Sequence, residues 1–167
     1  MDISVSEVKT LREKTGAGIM DCKKALIDAC GDFDKAAEII KEKGLETVNK
    51  KANRDASDGL IEIYVHNGRI GALVEVNCET DFVAKTDQFK ELARNVPMQI
   101  AAMNPLYLSE ADIPEGQDAD LKQACLLSQP FVKDESMTIQ DMVNEAIAKV
   151  GENIKIKRFT RYELGCS

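Results

Sequence analysis

The chain has 167 residues, 44% hydrophobic and 31% charged, with a net charge of −7. That length can bury a core and supports either one domain or a small module joined to a larger one. The longest apolar runs are a few residues, which excludes a transmembrane helix, and the acidic balance argues against a general nucleic-acid binder while leaving room for a local basic face.

The opening "MDISVSEVKTLREKTG" carries an acid at position 2 and no apolar stretch, so no secretory signal is expected and the cytoplasm is the default location. Five cysteines, Cys22, Cys30, Cys78, Cys125 and Cys166, are odd in number and widely spaced, with no CxxC pair. A zinc site or a dithiol redox motif is therefore not expected, and the thiols read as reduced and hydrophobe-like. Cys166, beside the chain end, is expected to be exposed.

Residues 1–44 read as three short helices. Ser4-Val5-Ser6-Glu7 has the capping-box spacing, in which hydroxyl and carboxylate satisfy each other's backbone amides. Val5, Val8 and Leu11 then share one face, and Thr15-Gly16-Ala17-Gly18 breaks the helix. A second helix places Cys22, Leu26 and Ala29 together and stops at Gly31. Asp32 is positioned to cap a third, with Phe33, Ala36, Ala37 and Ile40 in helical spacing and Gly44 as its terminator. The polar run 45–58 reads as a partly helical linker, leaving 59–167 as a second unit.

In "GLIEIYVHNGRIGALVEVN" the periodicity changes to two. Asn67-Gly68 suits a tight hairpin turn with positive φ at both residues. Counting outward pairs Val65 with Ile70, Ile63 with Ala72 and Ile61 with Val74, with all six on one face. Thr86 then reads as a helix cap ahead of the stripe Phe89, Leu92, Ala93, Val96 and Ile100. Pro97 lies within that stripe and predicts a kink or break. "MNPLYLS" and "CLLSQPFV" read as strands on either side of the irregular "IPEGQDADLKQ". Thr138 to Asp141 opens a last helix that ends at Gly151. "NIKIKRFTRYEL" closes as a strand with a bulge near Lys157-Arg158. Helices first, then mixed strands and helices, predict an α+β fold: a three-helix module followed by a core with an antiparallel sheet.

No familiar catalytic set is present. His66 is the single histidine and reads as a solvated turn residue, and HExxH, GxSxG and phosphate-loop patterns are lacking. "TGAG" precedes a helix but has neither the preceding strand nor the lysine-hydroxyl pair of a phosphate loop. Cys78 as a nucleophile has no histidine near it in sequence. Lys155, Lys157, Arg158 and Arg161, with Phe159 and Tyr162 among them, resemble a nucleic-acid-binding sheet, against the plainer reading of a solvated strand face. Periodicity leaves "VEVNCETDFVAKTDQF" ambiguous. On that ground alone Phe82 is expected to fold back under its own hairpin, as most phenylalanines are buried.

That segment, together with "VKTLREKTGAGIMDCKKAL" and "LLSQPFVKDESMTIQDMVNEAIAKVGENIKIKRFTRYELG", closely resembles the bacterial elongation factor Ts family, in its short, single-core form. The likeness spans nearly the whole chain in three blocks. It implies a guanine-nucleotide exchange factor of translation that binds elongation factor Tu, GDP-bound and nucleotide-free, without covalent chemistry or a cofactor. It also implies that the N-terminal helices form a ubiquitin-associated-like module and the rest an α+β core. The family's Thr-Asp-Phe-Val motif matches Thr80, Asp81, Phe82 and Val83, where the aspartate and phenylalanine wedge into the GTPase and disturb its Mg²⁺ site. Arg12, Ile19 and Met20 match module positions that meet the same nucleotide domain. The stretch from Pro114 to Leu121 is much shorter than the family's usual connection. Short members look like single-core versions that can pair, so a homodimer is an expectation, whereas direct nucleic-acid or membrane binding is not.

Overall fold

In the computed structural model, which describes residues 3–166, helix α1 (Val5–Thr15) starts with the capping box its sequence predicts. The Glu7 N–H donates to the Ser4 hydroxyl at 3.2 Å, and the Ser4 N–H donates to the Glu7 carboxylate at 2.7 Å. Val8 and Leu11 are buried, but Val5 is exposed and does not share their face. Gly16 ends the helix at φ +69°. Helix α2 (Ile19–Asp28) buries Cys22, Ala25 and Leu26. Asp32 then caps α3 (Phe33–Lys51) by accepting from the N–H groups of Asp34 and Lys35. Val8, Leu11, Cys22, Ala25, Leu26, Ala29 and Ala36 form a small core of their own.

Helix α3 does not stop at Gly44. It runs on to Lys51, so the first half of the expected linker is helix, and residues 52–57 connect it irregularly to the sheet. A glycine inside a helix costs about 1 kcal/mol relative to alanine. Packing offsets this, because the second half of α3 lies against α7 (Ile139–Val150). A Cβ on Gly44 would stand 3.4 Å from the Ala148 Cβ, so the missing side chain lets the two helices close up.

The main sheet is antiparallel, in the order β1 (Asp58–His66), β2 (Ile70–Cys78), β5 (Ile154–Glu163). The turn between β1 and β2 has positive φ at Asn67 and Gly68, and the Arg69 N–H donates to the His66 carbonyl at 2.9 Å. The register nonetheless differs from the count made on a two-residue turn. Val65 pairs with Gly71, Ile63 with Leu73 and Ile61 with Glu75. Arg69 is the extra residue, and its carbonyl instead accepts the N–H of Leu164 beyond β5. A one-residue slip moves side chains to the other face. Ala72, Val74 and Val76 therefore join the core with Leu60 and Tyr64, while Ile61, Ile63 and Val65 face outward. At the start of β1, Gly59 has φ +143°, and a Cβ there would run into the Val76 carbonyl at 2.1 Å. The bulge expected in β5 is present: Glu75 pairs with Arg158 and Val76 with Ile156, so Lys157 is the unpaired residue.

After β2 come the single-turn helix α4 (Asp81–Ala84) and the long α5 (Asp87–Met103). The Thr86 hydroxyl accepts from the Phe89 N–H, and Phe89, Leu92, Ala93, Val96 and Ile100 all pack into the core. Pro97 does not break α5. It is buried, as are Val96 and Ile100 on either side, so packing carries the helix across the missing hydrogen bond.

Neither of the next two expected strands forms as read. Tyr107 makes a single parallel bridge to Cys125. Following α6 (Leu121–Ala124), Leu126–Ser128 is a 3₁₀ turn, and only Pro130–Phe131 is extended, as β3. It pairs with β4 (Asp134–Thr138), which the sequence reading does not anticipate. Thr138 and Asp141 cap α7 reciprocally, and Gly151 closes it at φ +76°. The result is an α+β fold in which α5 and α7 pack around the three-stranded sheet. Among the described residues no helix is long and apolar enough to cross a membrane.

Candidate functional site

Strand β2 delivers the chain to Glu79 and Thr80, and α4 then makes one turn. Thr80 occupies the N-cap position, yet its hydroxyl caps nothing within the helix. That hydroxyl donates to Oε1 of Glu152 at 2.7 Å, and the Thr80 N–H donates to Oε2 of the same carboxylate at 3.0 Å. The Cys78 thiol donates to the Thr80 carbonyl. Further along, Val83 and Ala84 are buried in the main core, and the Thr86 hydroxyl donates to the Val83 carbonyl at 2.7 Å.

Successive helical residues point about 100° apart. With Val83 and Ala84 turned inward, Phe82 is turned out and is 78% exposed. Asp81 is also exposed and pairs with Lys85, whose ammonium is held above its usual range by that carboxylate. Of the four motif residues, only Asp81 and Phe82 present their side chains to solvent. Thr80 is half-buried, and Val83 belongs to its own chain's core. Leaving a phenylalanine in water forgoes roughly 1.5–3 kcal/mol of burial. Phe82 does not fold back under the hairpin, as periodicity alone favours.

Arg12, in the last turn of α1, and Ile19 and Met20, at the start of α2, flank the Thr15–Gly18 turn, and all three are exposed, Met20 by 75%. The turn itself is a helix-helix connection, and the Lys149 side chain lies over Gly16.

The other chemical candidates fare differently. Burial, assisted by the charges of Glu152 and Asp58, pushes the Cys78 thiol up to about 11, so it is protonated at neutral pH and poorly nucleophilic. On the basic strand, Lys157 and Arg158 both reach Glu75, at 3.5 and 2.7 Å, and Arg161 pairs with Glu163 at 2.8 Å. Phe159 packs against the core. Three of the four cations of the nucleic-acid reading are thus paired within the chain, which weakens that reading, whereas Lys155 is exposed and makes no ion pair among the described residues. Among the described residues no group of three or more His, Cys, Asp or Glu is placed to hold a metal ion. Cys30 and Cys166 are exposed, whereas Cys22, Cys78 and Cys125 are buried.

Sequence reasoning misses the turn after α7. The Asn153 N–H donates to the Glu79 carboxylate at 2.7 Å, and its side-chain amide donates to the Arg54 carbonyl at 2.7 Å. Arg54 in turn pairs with Glu79 at 3.6 Å, and the Lys51 ammonium bonds the Gly151 carbonyl. The end of α3, the approach to α4 and the α7–β5 turn are thereby tied together. Gly151 is readable as a helix terminator, but nothing in local spacing marks Glu152 as the partner of a residue 72 positions earlier.

The outer face of the sheet is apolar where the slipped register places it. Ile61, Ile63, Val65 and Leu73 are exposed there, and Tyr162 lies across Gly71 from Val65.

The family model described as elongation factor TS matches residues 32–118 and 118–166. The chain is 48% identical over 194 residues to elongation factor Ts of Thermotoga sp. strain RQ2, covering 99% of this chain and 98% of that protein. It is 48% identical over 195 residues to that of Alkaliphilus oremlandii, covering 99% and 90%. Against that of Moorella thermoacetica it is 46% identical over 194 residues, covering 98% and 96%. These alignments are longer than this chain, so the relatives carry residues that it lacks. The two matched segments meet at residue 118, inside the short irregular stretch between Ile113 and α6.

Proposed function

Because the chain belongs to the elongation factor Ts family and holds Phe82 out to solvent, we propose that it is the guanine-nucleotide exchange factor of elongation factor Tu. It acts in the cytoplasm by binding, with no covalent step. The GTPase holds GDP through a phosphate-cradling loop and a Mg²⁺ that neutralises phosphate charge. Phe82 enters between two helices of the nucleotide domain, with Asp81 beside it. The ring moves those helices only because the displaced arrangement binds the exchange factor better. Displacement loosens the Mg²⁺ and phosphate sites, and GDP leaves. By linkage, the factor by which bound exchange factor weakens GDP is also the factor by which GDP weakens the exchange factor. GTP entry then expels the exchange factor.

The three N-terminal helices act as the family's ubiquitin-associated-like module, with Arg12, Ile19 and Met20 meeting the same nucleotide domain. The observation that carries this reading is the outward Phe82 on a turn seated by Val83 and Ala84. Its test is release of a fluorescent GDP from elongation factor Tu, with substoichiometric amounts of this chain added. Multiple-turnover acceleration is expected, and an unchanged release rate would contradict the proposal.

A homodimer is the second part of the reading, favoured by the apolar outer face of the sheet. Two copies meeting through Ile61, Ile63, Val65, Leu73 and Tyr162 would cover side chains that the fold leaves in water, on a self-complementary patch. Sedimentation velocity should show a dimer that Ile63→Lys converts to monomer. A monomer in the unsubstituted chain at tens of micromolar, roughly the range in which modest interfaces assemble, would refute it.

A further inference from the structure

We propose that Glu152 is the positioning residue of the exchange reaction, holding the single turn that presents Phe82. This inference rests on the exchange reading above and adds a residue to it.

A helix of four residues has one turn of hydrogen bonding and does not hold its own direction. What surrounds α4 must orient it. From below, Val83 and Ala84 seat it in the core. At its N-terminal end two side chains hold Thr80 among the described residues: the Cys78 thiol, with a single bond to its carbonyl, and Glu152, which alone makes two bonds. The carboxylate takes the N–H and the hydroxyl of Thr80 at 3.0 and 2.7 Å, one oxygen to each. Two bonds to one residue fix its rotation as well as its place, and Phe82 follows two residues later. Thr80 could have spent its hydroxyl on capping α4, as a threonine at that position usually does. It makes the distant contact instead.

The carboxylate is itself held on a stiff base. Gly151 caps α7 in the left-handed conformation, and Asn153, 2% exposed, is bonded to Glu79 and to the Arg54 carbonyl. The turn bearing Glu152 is thus anchored on both sides, and a displacement of the ring on docking has to work against it. A wedge that must move helices in its partner needs that resistance, since a ring that swivels away transmits no displacement.

The test separates positioning from stability. The plateau rate of GDP release at saturating exchange factor, and the half-saturating concentration, are measured for Glu152→Ala, Glu152→Gln, Phe82→Ala and the double variant Glu152→Ala/Phe82→Ala. Misplacement of a docking group by about 1 Å can cost up to two orders of magnitude in rate. Glu152→Ala is accordingly expected to lower the plateau about tenfold while the half-saturating concentration changes by less than about threefold, because the N-terminal contacts remain. Glu152→Gln keeps an acceptor for the Thr80 N–H and should recover most of the plateau. In the Phe82→Ala background, Glu152→Ala should cost nothing further, since it acts through the ring. A wild-type plateau for Glu152→Ala, or a loss that multiplies with that of Phe82→Ala, overturns the positioning role and leaves the wedge standing. A wild-type plateau for Phe82→Ala overturns the wedge and this inference with it. If Glu152→Ala fails to fold, Thr80→Val removes one of the two bonds and is put through the same cycle, with the same outcomes deciding.

Discussion

Gln99 and Gln129 are both completely buried, and the side-chain amide of Gln99 donates to the amide oxygen of Gln129 at 3.1 Å. The same Gln99 amide donates to the Pro130 carbonyl at 3.0 Å, and its oxygen accepts the Val132 N–H at 2.9 Å. Gln129 completes the set by donating to the Gln123 carbonyl. Polar groups therefore tie α5 to the β3–β4 hairpin inside an otherwise apolar core. Gln99→Leu would keep the volume but leave the Val132 N–H and the Pro130 carbonyl without their side-chain partner. With each orphaned group costing about 1–3 kcal/mol, a loss of about 3 kcal/mol is expected in urea unfolding. Stability equal to the parent's would mean that the hairpin is held without this network.

Glu75 gives a pH signature. Hydrogen bonding from Arg158 comes first among the causes that hold its carboxyl below the usual range, and Lys157 adds to it. Folding then favours the ionised form. Its contribution is fully present above the ordinary carboxylate range and is lost as pH falls through the depressed folded value. The stability difference between the parent and Glu75→Gln should be greatest at neutral pH and shrink steadily in acid. A difference that does not change with pH would contradict the pairing.

Met20 is exposed at the start of α2, on the proposed contact surface for elongation factor Tu. Met20→Asp puts a charge where an apolar side chain is to be covered, and should weaken binding to nucleotide-free elongation factor Tu by about tenfold or more. Titration calorimetry reads this directly. Unchanged affinity would remove the N-terminal helices from the interface.

What was legible in the sequence is what neighbouring residues decide among themselves. Ser4 with Glu7 and Thr138 with Asp141 form their caps, and Asn67-Gly68 takes positive φ, because each partner lies within three positions. Where a remote element intervenes, the local reading fails. Arg69 leaves the hairpin ladder for the N–H of Leu164, and every residue of β1 changes face. Gly44 continues a helix because Ala148 packs against it, and Pro97 is carried by the core on either side. Within the candidate site, the motif residues Thr80 to Val83 are visible through the family resemblance, whereas alternation alone would bury Phe82. Glu152 is visible through neither, since its role exists only once β2 and the α7–β5 turn are side by side.

The central claim is that the outward ring of Phe82 drives GDP release, and stopped-flow release of fluorescent GDP by Phe82→Ala tests it most directly. Loss of an anchoring aromatic at a docking surface typically costs 2 kcal/mol or more. Since the ring is 78% exposed in the free chain, thermal unfolding should be nearly unchanged while the saturating release rate falls by about thirtyfold. A variant that folds normally and still accelerates release as fast as the parent would contradict the account.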